Sequence, residues 1–157
     1  MRRDYFTLEL DGLDWVDEGT KPEKPALYIN YEGPASLLQE RLTGESAELV
    51  SESKIDVAFR YLTSVDRSDA RGVVSITDRV TGDYILELEA TAGDMLAFVR
   101  GARLFGETTA DEDDRYRIVL LVAGKKAVAY NKRTLLIYDQ NGNLLREASL
   151  IPSGVEL

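Results

Sequence analysis

The chain has 157 residues, a formal net charge of −9, and neither histidine nor cysteine. Those two absences exclude a Ser-His-Asp triad, a cysteine nucleophile, disulfides and zinc sites built on His or Cys ligands. The acidic balance argues against nucleic acid and anionic membrane as partners, because both call for a local surplus of lysine and arginine.

Residues 5–10 alternate, with Phe6, Leu8 and Leu10 on one face and Tyr5, Thr7 and Glu9 on the other, which predicts a strand. Residues 11–25 are acidic, hold two prolines and two glycines, and read as a long loop or β-excursion. Residues 26–31 form a second strand by the same alternation. Pro34 suits a helix start, since its missing N–H costs nothing there. Leu37, Leu38, Arg41 and Leu42 then follow helical spacing, with Thr43 and Gly44 as the end. Residues 45–54 are polar and read as a loop or a marginal helical turn. Residues 55–62 are a third strand, with Ile55, Val57, Phe59 and Tyr61 on one face.

Residues 72–79 and 84–90 predict a hairpin around Val80, Thr81, Gly82 and Asp83, with the glycine supplying positive φ. The strongest helix follows. Thr91 caps it, Asp94 places negative charge at the positive end of the dipole, and Gly106 is the expected stop. Met95, Phe98, Val99, Ala102 and Phe105 form its apolar stripe. Beyond an acidic loop the pattern turns to β, with strands at 116–122, 127–130, 135–139 and 144–150. The Asn141-Gly142 pair between the last two is a strong hairpin signal. The expected fold is therefore a single α+β domain over 1–157, a mainly antiparallel sheet of hairpins with two helices packed on it.

No targeting or spanning segment is expected. Arg2-Arg3 is followed by polar residues, and the longest strongly apolar run, 118–123, is far below the ~20 residues of a membrane helix. A cytoplasmic location is the expectation. Arg2-Arg3 and Lys125-Lys126 are too short to make basic patches. The 28 carboxylates stand against 13 arginines and only 6 lysines. Such a surface suits high salt, where at about 1 M the screening length falls to ~3 Å and carboxylate repulsion is damped.

The chemistry-bearing patterns are few. Ser51-Glu52-Ser53-Lys54 has Ser-x-x-Lys spacing, but the companion motifs of acyl-enzyme families are missing. Asp111, Glu112, Asp113 and Asp114 offer oxygen ligands without an EF-hand pattern, and read as a solvated loop. Glu87 and Glu89 share a strand face opposite Leu86 and Leu88, the placement of a solvent face. Neither glycine-rich phosphate-loop pattern occurs, so no cofactor is expected. Eight tyrosines lie mostly in predicted strands, as half-buried sheet surfaces favour.

Candidate protein contacts are Leu96, Arg100, Arg103 and Leu104 on the helix face opposite the apolar stripe, together with Leu150 and Ile151 near the C-terminus. Trp15 joins them: an indole in an acidic loop either folds back over the sheet or awaits a partner. Residues 1–8, the turn region 79–83 and the closing 149–157 resemble a family of small proteins from halophilic archaea, over the whole chain. The family is uncharacterised, with no activity, ligand or catalytic residue established, so the resemblance supplies no site, but it implies a salt-adapted protein.

The functional expectation is a non-enzymatic, cytoplasmic protein-interaction domain that binds a protein partner or a second copy. The alternatives are a small-molecule-binding domain with a tyrosine- and arginine-lined pocket, its ligand unknown, and a carboxylate–Mg²⁺ enzyme, which nothing in the spacing favours.

Overall fold

The computed structural model describes residues 2–43, 48–109 and 114–152. It is an α+β fold with two four-stranded sheets and three α-helices. In chain order the elements are β1 (Phe6–Asp11), α1 (Asp14–Glu18), β2 (Ala26–Tyr31), α2 (Ala35–Thr43), β3 (Ile55–Tyr61), β4 (Arg71–Asp78), β5 (Tyr84–Thr91), α3 (Ala92–Thr108), β6 (Tyr116–Val122), β7 (Lys125–Lys132) and β8 (Leu136–Tyr138). One-turn 3-10 helices at Arg3–Tyr5 and Glu52–Lys54 lead into β1 and β3.

The first sheet has the order β1-β2-β6-β7 and the second β5-β4-β3-β8. The single, mainly antiparallel sheet with two helices expected from sequence is thus two mixed sheets with three α-helices, each sheet antiparallel apart from one parallel join. Hairpins make the local antiparallel pairs, but β2 runs parallel to β6 and β3 runs parallel to β8. These joins link strands far apart in the chain, so no turn signal announces them. The inner faces follow the predicted alternation: Leu27, Ile29 and Tyr31 lie beside Ile118 and Leu120, and Ile55, Val57 and Phe59 lie beside Val74 and Ile76. One buried cluster draws on both sheets, α2 and α3.

At the β4–β5 hairpin, Ile76 faces Leu86 while Thr77 faces Tyr84, leaving Ile85 as an extra residue. A bulge reorients side chains locally, so Ile85 and Leu86 are both buried although they are adjacent. The β6–β7 turn centres on Ala123 and Gly124, both at positive φ, as a two-residue hairpin of this hand requires.

Helix α3 begins as predicted, with Thr91 Oγ1 accepting the Asp94 N–H at 3.3 Å. It runs two residues past Gly106, which is no stop. A Cβ there would collide with the Arg115 side chain, so the glycine allows that arginine to cross the helix. Helix α1 was not expected, since its segment reads as a loop. Gly19, at φ 68°, closes it by donating its N–H to the Trp15 carbonyl.

The predicted strand at 144–150 does not form. Only Leu144 and Leu150 make isolated bridges, to Tyr138 and Leu135. Asp139 Oδ1 accepts the N–H groups of Asn141 and Asn143, both at 2.9 Å, which locks the Asn141-Gly142 turn. The Asn143 N–H leads the hydrogen bonds that hold the Asp139 carboxyl below the usual range. Beyond the turn, the buried Ser149 hydroxyl accepts the Ile137 N–H and donates to the Leu145 carbonyl, both at 2.8 Å. A side chain thus supplies bonds that a strand ladder would have made.

Candidate functional site

Helix α3 shows what becomes of the predicted contact residues. Arg103 donates to the carbonyls of Glu147 and Ser149 at 3.1 and 2.8 Å, fastening the C-terminal segment to the helix. Arg100 reaches Asp17 of α1 at 3.7 Å. Leu96 is exposed and Leu104 half-buried. Leu150 is buried and exchanges two backbone bonds with Leu135, and Ile151 is half-buried. Trp15 is 5% exposed and donates Nε1–H to the Gly12 carbonyl. Arg103 thus sets α3 beside the segment that carries Leu150 and Ile151, and Arg100 faces the helix that carries Trp15.

The chemistry-bearing patterns can be followed only where their residues are described. Glu87 and Glu89 point outward toward Arg3 and Arg71 at 3.5 and 3.7 Å. Ser51 Oγ lies 3.2 Å from Ser53 Oγ, and the Lys54 bond to Ser51 runs through the backbone. Asp111, Glu112 and Asp113 lie outside the described residues; Asp114 is within them. Among the described residues, no three Asp or Glu side chains converge as metal ligands. No helix among them is long and apolar enough to cross a membrane.

Lys132 is a buried cation that the sequence reading missed. Its Nζ donates to the carbonyls of Glu52 and Ile55, both at 2.8 Å, tying β7 to the 3-10 turn before β3. Burial, then the nearby Arg79, depresses its pKa, while Asp56, Glu52 and Asp114 oppose the shift. Tyr130 and Tyr116 donate to the carbonyls of Val50 and Thr134, both at 2.7 Å. Burial raises both phenol pKa values, and Tyr116's the further of the two, well above the ordinary value.

Some of the exposed apolar side chains gather elsewhere, while Leu62, Val65 and Leu96 stand apart from them. A surface cleft of about 530 Å³ opens between α2, residues 48–51 and the β4–β5 turn. Leu49, Val80 and Tyr84 line it, at 43%, 75% and 53% exposure. Leu37, also exposed, lies one helical turn before Arg41 of the cleft wall. The turn itself is well made. Asp78 Oδ1 accepts the N–H groups of Val80 and Thr81, and the Gly82 N–H, at φ 79°, returns to the Asp78 carbonyl. Val80 is held out at its tip. Arg41 Nη1 donates to the Tyr84 carbonyl at 2.8 Å, bracing α2 against β5. Sequence placed Val80 in a turn and Leu49 in a loop, but nothing local joined them.

A second depression, about 570 Å³ and open to solvent, lies on the outer face of the β5-β4-β3-β8 sheet, where Arg60, Arg79, Tyr84 and Tyr138 surround the small Ala58 and Ser75. Arg79 is committed to Asp56, with Nε and Nη2 both on one carboxylate oxygen, at 3.0 and 2.7 Å.

Fold and site together define a small two-sheet α+β protein with a surface cleft of mixed apolar and charged lining among the described residues. The chain belongs to a family of unknown function, DUF5793, which it matches over residues 1–157. No curated protein and no solved structure matches it.

Proposed function

We propose that this protein is a non-enzymatic contact domain of a salt-adapted cytoplasm, and that it binds another protein through the cleft between α2 and the β4–β5 turn. The observation that carries the reading is convergence: Leu49 and Val80, from two separate segments, expose apolar surface into one concavity, and Tyr84 stands where it borders the outer-face depression. Isolated exposed hydrophobics are ordinary, whereas a grouped patch marks an interaction surface. Missing imidazole and thiol, and the lack of converging carboxylates among the described residues, weigh toward binding over catalysis. The surplus of carboxylates over six lysines supports the salt-adapted part.

The test is capture in molar KCl with the wild-type chain, Val80→Asp and Leu49→Ser, with Leu62→Ser as a surface control. A partner held by wild type and the control but lost by both cleft variants supports the reading. A partner held equally by all four, or a strict monomer that captures nothing, overturns it. Salt adaptation is tested separately by melting. The melting temperature should rise substantially from dilute buffer to molar KCl, and a flat curve would remove that part.

A further inference from the structure

We infer that the occupant of the cleft is a partner-protein segment in which an apolar side chain is flanked by arginine or lysine. This rests on the contact reading above and adds the partner's chemistry. Part of the lining is apolar: Ile85 is buried, Val50 half-buried, and Leu49 and Val80 are exposed. The edge is acidic. Among the described residues, Glu40, Glu48, Asp78 and Asp83 line the cleft against two cations, Arg41 and Lys54. Each sign gives one group to the fold: Arg41 donates to the Tyr84 carbonyl, and Asp78 Oδ1 accepts the Val80 and Thr81 N–H groups.

The two kinds of surface divide the work. Apolar burial supplies affinity and persists in concentrated salt, whereas ionic attraction is cut to contact range there. Charge at the edge then selects among partners, because a carboxylate brought against this edge meets like charge as it loses water. The same edge rejects nucleic acid and anionic lipid. A second copy of the chain is the competing occupant, since Leu96 and Arg100 offer leucine beside arginine, but Arg100 already faces Asp17.

Three synthetic peptides serve as probes, with cores Arg-Leu-Arg, Glu-Leu-Glu and Arg-Ser-Arg, titrated into the full chain and followed by backbone amide NMR in dilute and molar KCl. The Arg-Leu-Arg peptide should saturate and shift the amides of Leu49, Val80 and Tyr84, with each of the others about tenfold weaker. The double variant Glu40→Gln, Asp83→Asn should weaken it about fivefold in dilute buffer without moving the melting temperature, and Val80→Asp should abolish it. Equal binding of the Glu-Leu-Glu peptide, shifts scattered over the surface, or no saturation overturns the proposal. So does a peptide-free dimer that Val80→Asp dissociates, since the occupant is then a second copy. If the double variant still captures the cellular partner in full while Val80→Asp loses it, the partner chemistry falls and the contact reading stands. If Val80→Asp captures it in full, the contact reading itself falls.

Discussion

Helices α2 and α3 both lay an apolar stripe on the shared core, yet they treat their outer faces in opposite ways. The arginines on the outer face of α3 are used within the chain: Arg103 fastens the C-terminal segment and Arg100 faces α1. The outer face of α2 braces one hairpin through Arg41 and otherwise opens on a cleft where Leu49, Val80 and Tyr84 stay in water. An arginine beside a leucine therefore says little until its partners are known. On α3 the pattern builds the fold, and beside α2 the apolar side chains are left for something else.

Phe98 of α3 is fully buried and meets Tyr116 edge-on at 5.4 Å. Phe98→Ala should cost about 3–5 kcal/mol in urea unfolding, and a loss below about 1 kcal/mol would contradict its place in the core. Lys132→Met should cost about 2–4 kcal/mol, because two carbonyls lose a charged donor.

High pH should weaken the fold. Tyr31, Tyr61, Tyr116 and Tyr130 all have pKa values raised chiefly by burial. Each phenol keeps its proton in the folded state where the unfolded chain has lost it, so its contribution is full below the unfolded value of about 10 and is lost as pH climbs above it. Lys132 acts the other way. Its lowered pKa is a penalty that fades as pH rises toward the unfolded lysine value, but it is one group against four. The urea midpoint should fall between pH 9 and about 11.5, together with the rise of tyrosinate absorbance. A midpoint that holds or rises would show the phenols to be accessible.

Smaller effects sharpen the contrast. Arg103→Ala should cost about 1 kcal/mol and speed amide exchange around Ser149, since it removes both bonds to that segment. Val80→Asp should shift stability by less than about 0.5 kcal/mol, because an exposed turn tip packs against little. If Val80→Asp destabilised the fold as much as Arg103→Ala, the side chain would belong to the chain's own packing and not to a contact surface.

Much of the scaffold could be read in advance, and the misses share a cause. The alternation of Ile55, Val57 and Phe59, the cap at Thr91 and the glycine of the β4–β5 turn act through neighbours a few residues away, and each was legible. Gly106 was misread because its meaning lies with Arg115, outside the helix. Trp15 could be placed on neither side until α1 and the Gly12 carbonyl were seen. The last predicted strand failed because Ser149 bonds Ile137 through its hydroxyl and dispenses with a ladder. For the candidate site, composition excluded chemistries but gave no location.

By itself the amino-acid order determined which residues face inward, where α3 begins, which hairpins turn tightly, and that no imidazole or thiol takes part. Periodicity, capping and turn conformation are short-range, so local sequence suffices for them. Only the tertiary structure decided that β2 and β6, and β3 and β8, run parallel, and that Leu49 and Val80 line the same cleft. Strand direction between distant segments, and the company an exposed side chain keeps, follow from how the whole core closes, and no local stretch of sequence carries that information.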